Sequence, residues 1–140
     1  MKEASKSSFN FEGFKIVRSV FDRKAGELGK NFKITFQPSG IHDLKENRFQ
    51  LNLKTLIVND SQLLRIEVEA LATFKILGDN SPEALKNFFY LNAPAILFPY
   101  IRAYISALTT LSGLAPVTLP TLNLSNLAAE LEKNTQRIDS

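Results

Sequence analysis

The chain has no cysteine, no tryptophan, one methionine and one histidine in 140 residues. Without a thiol it can form no disulfide, offer no thiolate nucleophile and bind no sulfur-ligated metal. Such a composition fits a reducing compartment, so a cytoplasmic protein is expected. The one histidine, His42, has no second imidazole to work with. It could pair with Glu46 as a metal ligand only on a helix, and its setting between Gly40 and Asp43 predicts a surface loop instead. There is no Gly-x-Ser-x-Gly elbow, and Gly26, Gly29 and Lys30 stand too close together for a phosphate-binding loop. No enzymatic activity, no cofactor and no metal are expected.

Long hydrophobic runs are missing too. The most apolar region is interrupted by Asn92, Pro94, Pro99 and Arg102, which argues against a membrane span of about 20 residues and predicts no membrane insertion. Residues 1–8 are polar with no apolar core of about seven residues behind them, so no targeting signal is expected there. Blocks of one charge sign are absent as well. Residues 1–75 hold 13 of the 17 Lys/Arg and 9 of the 14 Asp/Glu, intermixed, which predicts an ordinary solvated sheet face and no nucleic-acid partner. At this length a single domain spanning residues 1–140 is expected, with its polar ends, 1–8 and 134–140, disordered.

What the chain does have is alternation. Phe9, Phe11, Phe14 and Ile16 line one side of a strand whose register slips after Gly13, where a bulge or bend is expected, and Val17, Val20 and Phe21 continue past the slip. Phe32, Ile34 and Phe36 alternate with Lys33, Thr35 and Gln37 in a second strand, ended by Pro38, Ser39 and Gly40. Phe49, Leu51, Leu53, Thr55 and Ile57 mark a third. A fourth carries Leu64, Ile66, Val68, Ala70, Ala72, Phe74 and Ile76. Four strands on short connections predict an antiparallel meander with one wet face and one covered face, on which Ala70 and Ala72 let a helix come close.

The cover is the stretch from Ser81 to Gly113. Ser81 is an N-cap residue, Pro82 suits the first helical position, and Glu83 sits at the positive end of the dipole. Asn92, Ala93 and Pro94 predict an interruption, followed by a second helix from about Pro94 to Leu111 that bends at Pro99 and is capped by Gly113. That helix is apolar on more than one side, with Arg102 its only charge. One sheet can cover only one side, so a homo-oligomer is expected, with Tyr100, Ile101, Tyr104, Ile105 and Leu108 at its interface. Beyond Gly113, two prolines keep a leucine-rich segment extended, and a last helix capped by Asn123 or Ser125 carries Leu124, Leu127, Ala128 and Leu131 on one stripe. The expected fold class is α+β: a four-stranded antiparallel sheet with the C-terminal helices packed on one face.

The run Ile96, Leu97, Phe98, Pro99, Tyr100, with Arg102 two positions on, then Ile105, Ser106 and a glycine before a Pro/Leu-rich connection, closely resembles the helix of the SecB family of protein-export chaperones. A bland apolar helix seldom sets proline between two aromatics, and the order of elements along nearly the whole chain is similar to that family. The resemblance implies a homotetramer, a dimer of dimers with the long helix between dimers. It also implies grooves that hold unfolded or nascent preproteins in an export- or folding-competent state without ATP. By position it assigns the groove to Phe32, Ile34, Phe36, Leu114, Val117, Leu119 and Leu122. The family engages the SecA motor through carboxylates on the sheet face, and Glu67 and Glu69 are the residues available here. They stand among Arg65, Lys75 and a basic first strand, so weak or absent motor binding is expected. Two alternatives stay open: a dedicated SecB-like chaperone that holds the antitoxin of a toxin–antitoxin pair, and an oligomeric interaction module with no unfolded clients.

Overall fold

The computed structural model describes residues 1, 9–79 and 81–139, apart from the side chains at 87 and 88. Most of the polar lead expected to fray, residues 2–8, falls outside the described residues. In chain order the elements are β1 (Phe9–Arg23), β2 (Phe32–Asp43), β3 (Arg48–Asn59), β4 (Leu64–Ile76), α1 (Pro82–Ala84), a π-helical turn (Leu85–Phe89), α2 (Tyr90–Leu111), a 3-10 turn (Ser125–Leu127), α3 (Ala128–Lys133) and β5 (Thr135–Ile138). The period-two pattern sets the two faces of the sheet. Phe49, Leu51, Leu53, Ile57, Leu64, Ile66, Val68 and Phe74 are buried beneath the helices, while Gln50, Asn52, Lys54, Arg65, Glu67 and Glu69 take the outer face.

β1 slips register between Phe11 and Gly13 and again between Ile16 and Arg18. Gly13 has φ +121°, a conformation that a side chain disfavours, and the two slips keep Phe9, Phe11, Phe14, Ile16 and Phe21 opposite inward-facing residues of β4.

The sheet order is β1-β4-β3-β2-β5, with β1 to β4 antiparallel. The expectation of four antiparallel strands is therefore corrected to five in a mixed sheet, because Thr135–Ile138 pairs in parallel with Gly40–Asp43. A polar tail reads as unstructured, but this pairing is made by backbone groups, which composition does not report. β2 likewise runs to Asp43 and does not end at Gln37. Pro38 is tolerated because its backbone faces the outer edge of the strand. Its carbonyl accepts from Asn134 Nδ2 at 3.3 Å, and the Gly40 N–H, of the same parity, donates to the Asn134 carbonyl at 3.2 Å. The missing N–H costs no bond to β3.

His42 is not a loop residue. It lies on the inner face of β2, 0% exposed, with its ring centroid 6.2 Å from that of Phe49, and β5 pairs alongside it at Arg137. Neither ring nitrogen has a hydrogen-bond partner among the described residues. Burial holds its pKa below the ordinary value, the charge of Arg137 pushes the same way, and Asp43 opposes them. The unfolded chain binds a proton near pH 6.5 while the folded chain resists it. Stability is therefore full above that pH and falls as pH drops through it, by up to about 1.4 kcal/mol per pH unit. We expect the denaturant midpoint to fall between about pH 7.5 and about pH 5.5, and His42→Leu to remove most of that slope.

The Ser81 hydroxyl accepts from the Ala84 N–H at 3.2 Å, with Pro82 at the first helical position. The expected interruption at Asn92–Pro94 is absent: α2 continues through Pro94 and Pro99, and the irregularity lies upstream in the π-helical turn. Pro99 and Ala95, whose carbonyl loses its usual partner, are on the exposed side, where that carbonyl is open to solvent, and Pro94 is held by burial. Leu85, Phe89, Ala93, Leu97, Ile101, Ile105 and Thr109 form a buried stripe at every fourth position. A stripe of that spacing turns by about 40° per step round a 3.6-residue helix. It lets α2 touch β3, β4 and α3, and on the covered face of β4 Ala70 and Ala72 are 0% exposed. Among the described residues no helix is long and apolar enough to cross a membrane.

Candidate functional site

Two buried polar side chains shape the surface beside β2. Thr109, at the end of the α2 stripe, donates its hydroxyl to the Ile105 carbonyl at 2.9 Å and accepts the Val117 N–H at 2.8 Å. This turns the chain back against the helix, so that Val117 and Leu119 drop into the core while Leu114, Pro116 and Pro120 stay nearer the surface. Across from it, Asn59 ends β3 fully buried. Its Oδ1 accepts from the Gly29 N–H at 2.9 Å and the Ser61 N–H at 3.0 Å, and its Nδ2 donates to the Gly29 carbonyl at 3.0 Å and the Asn31 carbonyl at 3.3 Å. The loop Leu28–Asn31 is pinned in place by these bonds.

Between the two pinned segments lies an open cleft of about 530 Å³, with Phe32 and Ile34 of β2 along one side and Leu114, Val117 and Leu119 along the other. Five of the seven groove residues expected from the sequence therefore come together. Phe36 lies past the cleft, its ring edge-on to Phe98 at 5.7 Å, and Leu122 lies outside it as well. Sequence reading missed Leu28, Asn59 and Thr109. The available signals were an apolar residue in a polar loop and a threonine at the end of an apolar helix stripe.

Removing the Thr109 hydroxyl at constant shape should expose its structural role. Thr109→Val leaves the buried Val117 N–H without an acceptor, at a cost of about 1–3 kcal/mol, whereas Thr109→Ser keeps the bond. Thermal unfolding should show a lowered midpoint for the valine variant and a smaller change for serine.

The family model described as "Preprotein translocase subunit SecB" matches residues 11–135. The chain belongs to the SecB family. A protein-export protein SecB of Orientia tsutsugamushi (strain Boryong) is 33% identical over 131 residues, covering 86% of this chain and 79% of that protein. The uncharacterized protein MJ0357 of Methanocaldococcus jannaschii is 34% identical over 68 residues, covering 49% of this chain and 43% of its own length, so less than half of that relative is spanned. Among solved structures, the Mycobacterium tuberculosis Rv1957 SecB-like chaperone, in complex with a ChAD peptide from the Rv1956 HigA1 antitoxin, superposes with a TM-score of 0.69. That match covers 82% of this chain and 88% of the other at 21% identity, and it is a likeness of fold.

Elsewhere on this SecB-family chain, Glu67 is paired with Arg65 at 3.1 Å and with Arg18 at 3.8 Å, and Glu69 accepts from Asn52 Nδ2 at 2.9 Å. Both carboxylates share a shallow hollow of about 180 Å³ on the outer face with Arg18 and Lys54, so opposite charges offset one another there. On α2 the expected interface set divides. Ile101 and Ile105 are 0% exposed in the chain's own core, because they belong to the stripe that faces the sheet, and they present nothing to a partner. Tyr100 is 43% exposed and packs on β1, its ring 4.8 Å from Phe14 and 5.6 Å from Phe11. Tyr104 and Leu108 are half-buried on the shoulders of the helix. The outward face carries Leu91, Ala95, Pro99, Ala103, Ala107 and Leu111.

Proposed function

We propose that this SecB-family chain is a molecular chaperone, not an enzyme, which acts in the cytoplasm without ATP by holding unfolded or nascent polypeptides in the cleft beside β2. The observation that carries this reading is the cleft itself: Phe32, Ile34 and Leu114 are left half-exposed by a fold that uses two buried polar anchors to keep its walls in place. Burying a client's apolar side chains there releases the free energy of removing both surfaces from water, and a folded client has no such side chains to offer. A slowly refolding client should stay out of aggregates when the protein is present in stoichiometric amount with no nucleotide added. A requirement for ATP, or equal binding of the native client, would defeat the reading.

The assembly we propose is a homotetramer, a dimer of dimers joined through the outward face of α2. Leu111 is 87% exposed there and Leu91 42%. An exposed stripe of leucine, alanine and proline along that helix supports a partner of the same kind.

The neutralised carboxylates favour a second reading of the step after client binding. With Glu67 and Glu69 engaged by neighbouring groups, little field remains to steer a basic motor surface. This supports a dedicated role, such as holding the antitoxin of a toxin–antitoxin pair, over handover to a SecA-type motor. Calorimetry with such a motor should show weak or no binding at moderate salt. Sub-micromolar affinity that is lost in the Glu67→Lys, Glu69→Lys variant would restore general export.

A further inference from the structure

The chain's one histidine lies beside its last strand. His42 is 0% exposed on the inner face of β2, and neither ring nitrogen has a hydrogen-bond partner among the described residues. A buried imidazole with both nitrogens unpaired is costly to keep and costlier to protonate. Its neighbour on the outer side is β5, where Thr135–Ile138 lies parallel to Gly40–Asp43 with Arg137 in register with His42. A Cβ on Gly40 would come within 2.5 Å of the Phe49 ring and 3.0 Å of Thr135 Oγ1, so glycine there lets the start of β5 approach Phe49 closely.

β5 itself is weakly held. It has four residues, pairs with β2 alone, and leaves Gln136 and Arg137 exposed with Thr135 and Ile138 only half-buried. The helix before it is better anchored: Leu131 is 0% exposed, the Asn134 N–H donates to the Glu130 carbonyl at 3.0 Å, and the Asn134 carbonyl accepts from the Gly40 N–H at 3.2 Å. The hinge therefore falls just after Asn134. Short edge elements with little buried apolar area open locally at far less than the cost of global unfolding.

We infer that β5 is an acid-released strap: when His42 takes a proton, Thr135–Ile138 leaves β2 and His42 comes to lie on a free sheet edge in reach of water, while the rest of the fold stays closed. The charges around the ring favour this outcome. Arg137 on β5 repels an imidazolium, and Phe49 on β3 gives it no counter-charge. Asp43 on β2 attracts it, but Asp43 Oδ1 already accepts from the Lys45 and Glu46 N–H groups at 3.1 Å each. Tyr90 on α2 is buried and hydrogen-bonded to Thr135, with α3 placing the Glu132 carboxylate near it; burial raises its pKa, so it stays neutral throughout.

Burial and Arg137 hold the His42 pKa of the closed form below its ordinary value, and opening restores that value. Falling pH therefore favours the open form, by a factor of up to about ten between about pH 7.5 and about pH 5.5. The consequence is a sheet edge at Gly40–Asp43 that neutral pH covers and acid exposes. None of the residues lining the cleft belongs to this strap, so the inference does not depend on the chaperone reading.

Amide hydrogen exchange of the full chain, corrected for its intrinsic pH dependence, tests this together with the imidazole proton resonances of His42, which a single histidine makes unambiguous. The Leu44 amide, which donates to the Ile138 carbonyl at 2.9 Å, and the β5 amides should lose protection in step with the His42 titration. We expect at least about threefold of the possible tenfold between the two pH values. These amides should also be less protected than those of Leu53 and Ile66 and nearly insensitive to low urea, the mark of a local opening. His42→Phe keeps an aromatic ring without a protonation site and should abolish the pH dependence. Arg137→Glu, at an exposed position, turns repulsion into attraction and should shrink it while raising the His42 midpoint. A smaller loss in the unsubstituted protein, urea dependence equal to that of Leu53 and Ile66, or an unchanged pH dependence in the variants overturns the inference. Should His42→Phe fail to fold, Arg137→Glu decides alone.

Discussion

Replacing Ile105 by aspartate should abolish the fold, not merely the assembly. Ile105 is 0% exposed in the every-fourth-residue stripe that seats α2 on the sheet, and among the described residues the core around it is apolar and offers no cation. Burying an unpaired carboxylate there costs several kcal/mol, a large part of the roughly 5–15 kcal/mol that holds a domain together. The expected result is loss of the cooperative thermal transition. Tyr104→Asp makes the opposite case. Tyr104 is half-buried on the shoulder of the helix, so its replacement should leave the transition in place and weaken self-association, as light scattering would read. A folded monomer from Ile105→Asp would mean that this face of α2 meets another subunit instead of the sheet.

Charging the cleft should have the largest effect on activity. Phe32 and Leu114 both line it and are both half-exposed, so Phe32→Glu together with Leu114→Glu should be tolerated by the fold. Each large apolar side chain removed from water on binding contributes on the order of 1.5 kcal/mol or more, and each 1.4 kcal/mol is a factor of ten. Two such losses, with two carboxylates left to desolvate, should weaken binding of an unfolded client by about a hundredfold. The same anisotropy titration on Glu67→Lys, Glu69→Lys should show little change, because those residues lie on the opposite face of the sheet. Unchanged affinity in the cleft variant would place the client elsewhere.

Much of the fold was legible in local pattern. Alternation located the four long strands because the sheet has one wet and one dry face, and Gly13 announced its bulge because only the strand register could explain the slip from Phe11 to Phe14. Ala70 and Ala72 lie fully buried on the covered face, as that alternation required. What was not legible depended on partners distant in sequence. β5 exists because Thr135–Ile138 meets the edge of β2 alongside the buried His42, and β2 runs past Pro38 because it stays paired with β3 as far as Asp43. Pro94 and Pro99 read as breaks because they destabilise an isolated helix locally, whereas here packing along the stripe keeps α2 continuous.

The cleft divides in the same way. Phe32, Ile34, Leu114, Val117 and Leu119 were readable as apolar residues out of place in a strand edge and a connection, and the family resemblance put them in one groove. The bonds that hold the walls apart were not. Asn59 looks like any turn asparagine until Gly29 and Asn31 fold against it, and Thr109 like any helix residue until Val117 returns to it. The division inside the interface set comes from helical phase: Ile101 and Ile105 share the four-residue stripe with Leu97 and Thr109, and Tyr100, Tyr104 and Leu108 do not share its buried centre.

The measurement that tests the central claim most directly is an equilibrium titration of the purified protein, with no nucleotide present, against one client in two forms: a permanently unfolded form and the native form. Saturable, micromolar or tighter binding of the unfolded form with none of the native form is predicted. Equal binding of both forms, or binding only when ATP is added, would contradict the claim that this chain holds unfolded polypeptides through apolar burial in the cleft beside β2.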